Sequence, residues 1–548
     1  MTSRRLLSPM AMALLLLACH SASGVDGRIR AARPVPVPPA VQWNHEWARG
    51  AVFYEIFVRS FSDSNGDGIG DFNGLTAKLD TLNDGDPTTT TDLGIDAIWL
   101  MPVFQSPSYH GYDTVDYQTI EQDYGTNADF QRFLEAAHKR GIRVILDLVM
   151  NHTSSESPWF LDSASSPTSQ KRNWYVWSAT DPGWRQPWGG DPSWHLRNGS
   201  FYYGVFWSGM PDLNYRTPEV KAEMFRIARY WLSQGVDGFR LDATRYLVET
   251  GPGPGQADIA ETHQLLKEFA ADVRATRADA VLVAENTTDT AALARYYGST
   301  ATIRGGDEMP MNFNFPLASA VLESVKSGNA SRIRSTLRDV INAYPRGIID
   351  APFLTNHDQT RLATVLSNDA GKLRNAAAIL LTLPGAPFLY YGEEVGLQNG
   401  PTSADESKRT PMPWSSSGGF TSGAPWHAYA PGLAINNVAS QVSDPRSLLW
   451  HYRKWIAARK SSAALLRGEL TLVETGSQTL AFLRETAEER VLVVHNVSDS
   501  MASTGVMAID AAGFEVLSAD GGVAVPSGRP GSWSLSLPAR SSGVWRLR

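Results

Sequence analysis

Gly238-Phe239-Arg240-Leu241-Asp242 is a short, mostly apolar run that ends on an acid. It lies between two stretches of helical periodicity, 219–234 and 262–274. The second of these leads into another apolar run, Val281-Leu282-Val283-Ala284, which is followed by Glu285. Apolar strand, amphipathic helix, apolar strand is the pattern of parallel strands joined by a crossover helix.

Outward from that unit the pattern repeats. Further strands are predicted at 52–58, 97–101, 144–149, 353–355 and 388–391, with a weaker one near 311–315, and further helices at 129–140 and 371–382. Eight such units predict an α/β fold, a (β/α)8 TIM barrel, although the periodicity alone leaves a doubly wound sheet open. The rhythm breaks over 153–210, which is rich in Trp, Gly, Pro and Ser and reads as a small domain inserted after the third strand. Beyond 460 it gives way to short strands at 479–484, 490–496, 533–537 and 543–547, so 461–548 is expected to be a C-terminal antiparallel β domain. The barrel is then drawn from 42–152 and 211–460.

The 548 residues are 43% hydrophobic and 19% charged, enough for a large core, and the net charge of −7 gives no footprint for a polyanion. Nucleic acid is therefore not an expected partner. The 17 Trp, 18 Tyr and 20 Phe offer the flat faces with polar edges that suit sugar rings. At the N-terminus, Arg4 and Arg5 precede an apolar run, 14–17, that leads into Ala18-Cys19. Leu16-Leu17-Ala18-Cys19 resembles a bacterial lipobox. Residues 1–19 are thus expected to be a lipoprotein signal peptide, with Cys19 the lipidated residue and the only link to a membrane. As the sole cysteine, Cys19 also excludes an intrachain disulfide. Residues 20–41, with Pro34, Pro36, Pro38 and Pro39, read as an extended tether. His20 after the cysteine favours the outer membrane by resemblance to Gram-negative sorting rules, so an exported, surface-anchored monomer is expected.

A barrel carries its active site at the C-terminal ends of its strands. Here those ends read Asp147-Leu148-Val149-Met150-Asn151-His152, then Asp242, then Glu285-Asn286, then Thr355-Asn356-His357-Asp358. One acid at a strand end could merely cap the next helix. Three acids and two histidines at four strand ends form a site. Arg240 and Asp242 are two apart on a strand and share a face, so the guanidinium should lower the pKa of Asp242 and keep it ionised as a nucleophile. Glu285, on the adjacent strand and sharing the pocket with two other carboxylates, should keep its proton as a general acid. Carboxyls about 5–5.5 Å apart would imply retention through a covalent glycosyl intermediate.

In this order the motifs resemble those of the α-amylase superfamily, glycoside hydrolase family 13. Met210-Pro211-Asp212-Leu213-Asn214 resembles its fifth motif region, and 94–102 and 392–397 resemble two more. The resemblance implies a retaining hydrolase acting on an α-glucan partner, with Asp242 as nucleophile, Glu285 as acid/base and Asp358 as transition-state stabiliser. It implies that Arg240, His152 and His357 bind the sugar at the cleavage subsite, that Tyr112 stacks beneath it, and that Asp113 in His110-Gly111-Tyr112-Asp113 belongs to the same substrate-binding set.

Asp63-Ser64-Asn65-Gly66-Asp67-Gly68-Ile69-Gly70-Asp71 places oxygen donors at alternate positions on a glycine-rich loop, which suits Ca²⁺. It begins like an EF-hand, but the twelfth position is Gly74, so that motif fails. Relatives related to the oligo-1,6-glucosidases hold Ca²⁺ on a similar loop, which implies Asp63, Asn65, Asp67, Asp71 and the Ile69 carbonyl as ligands. For a second calcium the resemblance is incomplete: Asn151 matches one of the family's ligands, but Tyr246 replaces the histidine expected near Arg245, so no second site is assigned.

Three departures bear on the bond cleaved. Tyr109 replaces the acid that caps the terminal sugar in exo-acting relatives. Ala243 follows the nucleophile where oligo-1,6-glucosidases have Val. The 210–214 motif lies between the forms of oligo-1,6-glucosidases and neopullulanases, in a group with bacterial α-amylases. By this resemblance the chain is a secreted α-amylase cutting internal α-1,4 bonds of starch and maltooligosaccharides. The alternatives are an α-glucosidase, a neopullulanase-type hydrolase or a glucanotransferase, trehalose synthase included. Of Trp159, Trp174, Trp177, Trp184, Trp188, Trp194 and Trp207 in the insertion, most are expected in its core and one or two at outer sugar subsites.

Overall fold

The computed structural model describes residues 40–548. The expected signal peptide, Cys19 and all but the last two residues of the tether lie outside them. Eight parallel strands run in the order of the chain: Phe53–Ile56 (β1), Ala97–Leu100 (β2), Arg143–Leu148 (β3), Gly238–Leu241 (β4), Val281–Ala284 (β5), Met311–Phe313 (β6), Ile349–Ala351 (β7) and Phe388–Tyr390 (β8). Each pairs with its sequence neighbour, and β1 pairs with β8, Phe53 opposite Phe388. Between β7 and β8 a single parallel bridge from Phe353 to Phe388 nearly closes the barrel.

Alternation along the strands builds two cores. Phe53, Ala97, Trp99, Ile145, Val281, Val283, Met311 and Ile349 point inward and pack together. Their neighbours Tyr54, Ile98, Val144, Leu146, Leu282 and Ala284 point outward against the helices. Continuing the inward register by two residues gives Glu55, Asp147, Arg240 and Glu285, so the polar residues form the top layer of an otherwise apolar interior. The tight start of β4 requires Gly238, which has φ +148°; a Cβ there would lie 2.0 Å from the Val281 carbonyl oxygen.

The helices form for local reasons. Asn127–Lys139 (α1) has a full capping box, Thr126 with Asp129, and a buried stripe of Phe130, Phe133, Leu134 and Ala137. Pro218–Ser233 (α2) opens on proline and buries Val220, Met224, Ile227, Ala228 and Trp231. Ala260–Thr276 (α3) and Ala370–Thr382 (α4) stand at the predicted places to within a few residues. The seventh strand does not. It lies at Ile349–Ala351, upstream of the predicted 353–355. Asp350 breaks the apolar run in sequence but is buried, with Asn314 Nδ2 donating to its carboxyl at 2.9 Å. Pro352 then ends the strand, having no N–H for the ladder.

Within 153–210 an antiparallel three-stranded sheet is formed by Trp177–Ser178, Ser200–Tyr203 and Trp194–Arg197. After Leu448–Lys460 (α5), an antiparallel sheet is built from Glu469–Val473 (β9), Thr479–Glu485 (β10), Arg490–Asn496 (β11), Phe514–Ala519 (β12) and Ser542–Leu547 (β13), ordered β9-β10-β11-β13-β12. One face of it, with Leu480, Phe482, Val491 and Val493, joins the helix-side core of the barrel. The other encloses its own core of Ala481, Leu492, Val494, Trp533 and Trp545. No helix among the described residues is long and apolar enough to cross a membrane.

Candidate active site

At the C-terminal mouth of the barrel lies a cavity of about 300 Å³. Asp242, Glu285 and Asp358 all line it, together with Tyr112 and His152. Arg240 and His357 are fully buried just behind that lining, and Asp113 is buried further off, accepting hydrogen bonds from Ser106 Oγ at 2.7 Å and from Ser108 Oγ. Asp113 therefore anchors the loop that carries His110 and Tyr112.

Arg240 organises the acids. Its Nη1 donates to Asp147 at 2.9 Å and to Asp242 Oδ1 at 2.7 Å, and its Nη2 lies 2.9 Å from Glu285 Oε2. The guanidinium sits over the Trp99 ring at 5.2 Å, a cation–π contact inside the barrel. Tyr112 Oη donates to Asp147 at 3.0 Å and meets His357 Nε2 at 2.6 Å, while His357 Nδ1 is 2.5 Å from Glu55 Oε1. Burial disfavours charge on His357, but Asp358 and Glu55 outweigh it and raise its pKa. Burial drops His152 to about 3, so it is a neutral imidazole.

The two central acids titrate differently from the sequence expectation. Burial lifts Asp242 to about 6, outweighing the downward pull of Arg240, with Asp147 and Asp358 adding to the rise. Burial lifts Glu285 further, to about 7, again against Arg240 and with help from Asp242 and Asp358. Arg240 thus does not depress Asp242 below the ordinary carboxylate range, because burial outweighs it at both acids. Asp358 behaves oppositely: its desolvation is outweighed by His357 and Arg409, which hold its pKa down. An acid that ionises first beside one that keeps its proton longer is the division of labour between a nucleophile and a general acid.

Ala243 follows Asp242 in a left-handed conformation, φ 49° and ψ 37°, costly for any residue with a Cβ. The turn aims its N–H at Glu285 Oε2, 3.1 Å away. Three lining residues were not singled out from sequence: Phe206, Asp405 and Arg409. Arg409 Nη2 donates to Asp358 Oδ1 at 2.9 Å and its Nη1 to Tyr109 Oη at 3.0 Å. It arrives on a long excursion after β8 whose sequence shows no strand-end pattern. Glu55 did carry a signal, an acid inside an apolar strand. Tyr109 stacks on Trp426 at 5.6 Å beside the mouth.

Among the seven tryptophans of the insertion, Trp188 and Trp207 are 49% and 50% exposed, Trp194 is buried, and the others are half-buried.

The 63–71 loop is tied by its own side chains. Asp63 accepts from the N–H groups of Asn65, Gly66 and Gly68 at 2.7–2.9 Å, Asp67 from Ile69 N–H at 2.8 Å, and Asp71 from Ser64 N–H at 2.7 Å. Desolvation of Asp63 is outweighed by these donors and Thr421, so its pKa is lowered and it is an anion. Three carboxylates, an amide oxygen and a carbonyl on one loop have the donor chemistry of a hard cation, although no three His, Cys, Asp or Glu side chains among the described residues form a metal-holding group.

The family model for the α-amylase catalytic domain matches residues 55–468. Alpha-amylase 3 of Dictyoglomus thermophilum is 38% identical over 462 residues, 83% of this chain and 86% of that protein. The trehalose synthase of Pimelobacter sp. is 35% identical over 510 residues, 83% of this chain and 87% of that protein. The crystal structure of an alpha-amylase from H. orenii aligns with a TM-score of 0.81 at 38% identity, covering 91% of this chain and all of that one.

Proposed function

The chain belongs to the α-amylase family of retaining glycosidases and related transglycosylases, and we propose that it hydrolyses internal α-1,4-glucosidic bonds of starch and maltooligosaccharides. The observation that carries this reading is the pair Asp242 and Glu285, both held by Arg240 at the cavity wall with Asp358 facing them. Asp242 attacks the anomeric carbon. Glu285 gives its proton to the departing glycosidic oxygen and then takes one from water, so that two inversions give net retention. Asp358, kept ionised by His357 and Arg409, stabilises the positive charge developing on the sugar ring. Tyr112 forms the floor beneath that ring.

Two alpha-amylases, each 38% identical, support the α-1,4 specificity, as do Tyr109 and Ala243. A second reading, transfer to a sugar acceptor, is favoured by the similarity to a trehalose synthase. A product time course on maltoheptaose, starch and isomaltose separates them. Early mixed oligosaccharides from starch, with isomaltose untouched, are expected. Glucose alone from the start would mean an exo-glucosidase, and products longer than maltoheptaose a transferase.

The proposal extends to a Ca²⁺ ion on the 63–71 loop, held by Asp63, Asn65, Asp67, Asp71 and the Ile69 carbonyl, where it would brace the loop structurally. Chelation should then lower Tm and added Ca²⁺ restore it, by mass action on the folded state. A Tm indifferent to both would remove the ion. Export as a monomer with a lipid on Cys19 completes the reading; incorporation of labelled palmitate, lost in Cys19→Ala, tests the anchor.

A further inference from the structure

Two segments far apart in sequence meet backbone to backbone beside the catalytic mouth. Asp63 N–H donates to the Phe420 carbonyl and Trp426 N–H to the Gly68 carbonyl, both at 2.9 Å, and Thr421 Oγ1 donates to Asp63 Oδ2. The approach is so close that a Cβ at Gly423 would lie 2.3 Å from the Gly66 carbonyl oxygen. The 420–426 segment is thereby fixed to the loop that follows β1.

Trp426 is the residue this junction holds most firmly. Its Nε1 donates to Ser60 Oγ at 3.0 Å. The Arg59 guanidinium lies over its ring at 5.5 Å and is itself tied to Asp123 at 2.7 Å. Tyr109 stacks on the indole with ring centres 5.6 Å apart and planes 27° from parallel. Tyr109 Oη accepts from Arg409 Nη1 at 3.0 Å, and Arg409 Nη2 donates to Asp358 Oδ1 at 2.9 Å. Burial pushes the Tyr109 phenol up to about 12, so it is neutral and orients the guanidinium without drawing charge from Asp358. His357 Nε2 also approaches this carboxylate, but at 3.4 Å, longer than a well-made hydrogen bond. The direction of the Asp358 carboxylate is therefore set by Arg409, and that of Arg409 by a ring resting on Trp426.

We propose that Trp426 is a positioning residue for the reaction: through Tyr109 it holds the Arg409 guanidinium so that Asp358 faces the positive charge developing on the sugar ring. Trp426 does not itself line the catalytic cavity, so it touches no reacting atom. The inference rests on the role given to Asp358 above. Charge on the ring is greatest in the transition state, so a misplaced Asp358 costs turnover more than substrate binding.

In Trp426→Ala, kcat on maltoheptaose should fall about tenfold while KM stays within about twofold of wild type. Affinity for acarbose, an α-glucan analogue with a protonated amine at the cleaved bond, should weaken by about the same factor as kcat, because its charge meets the same carboxylates. Trp426→Phe keeps a ring against Tyr109 and should recover most of both. Tyr109→Phe keeps the stack and removes only the hydroxyl that Arg409 meets. It should show the same split between kcat and KM, and it decides the question if Trp426→Ala does not fold. Unchanged kcat and acarbose affinity in Tyr109→Phe or in folded Trp426→Ala would overturn the proposal. So would a rise in KM as large as the loss of acarbose affinity, which is the mark of a distorted pocket. If instead Asp358→Asn left kcat intact, the role of Asp358 would fall, and the positioning role with it.

Discussion

Asp242 and Glu285 share one cation, yet burial and their neighbours leave them at about 6 and about 7. The proposed mechanism needs the first ionised and the second protonated. The rate should therefore rise as pH climbs through about 6 and fall as it passes about 7, giving a narrow bell in kcat/KM on maltoheptaose. A profile with both limbs below about pH 5, where exposed carboxylates titrate, would contradict this account of the site. Replacing Asp242 with Asn removes the nucleophile while nearly preserving shape. Turnover should drop by roughly three orders of magnitude or more, with Tm shifted only slightly. Unchanged turnover in that variant would sink the assignment. These residues were legible in sequence because each ends a strand and the chain order carries the motif. Arg409 and Phe206 were not, because each reaches the cavity from a long irregular segment that has no period to read.

After β8, the short turn Glu393–Val395 buries two acids beneath the catalytic face. Glu393 accepts from Tyr452 Oη and Glu394 from Tyr54 Oη, both at 2.8 Å, and burial lifts them to about 8 and about 7. A carboxyl raised in the folded state stabilises most below its unfolded pKa of about 4.5, and that contribution is lost as pH rises towards the folded value. Glu393→Gln mimics the protonated form. Its Tm should match wild type near pH 5 and exceed it by a few degrees near pH 8, read by thermal melts at both. Equal Tm differences at the two pH values would show that Glu393 is ionised in the fold. The same physics explains the misplaced seventh strand. A buried acid, Asp350, looks like a turn residue in sequence and becomes strand only because Asn314 satisfies it.

Residues 41–548 form one compact unit, and the C-terminal sheet is fastened to the barrel through buried arginines. Arg484 in β10 donates to the Thr382 carbonyl at 2.8 Å, and Arg540 donates to that of Val325 at 2.6 Å. Leu480, Phe482, Val491 and Val493 complete the helix-side core of the barrel. Calorimetry should therefore show one cooperative transition for barrel and sheet together; two separated transitions would mean that the sheet is an independent module. By itself the sequence revealed the alternating strands and helices, the acids that stand at strand ends and, through the order of its motifs, the family resemblance. Strand alternation and motif order are local properties, written in residues a few places apart. Only the tertiary structure decided how strongly the acids are desolvated, which tryptophans stay exposed and which distant loops wall the cavity. Those depend on packing between segments hundreds of residues apart, and no local period encodes it.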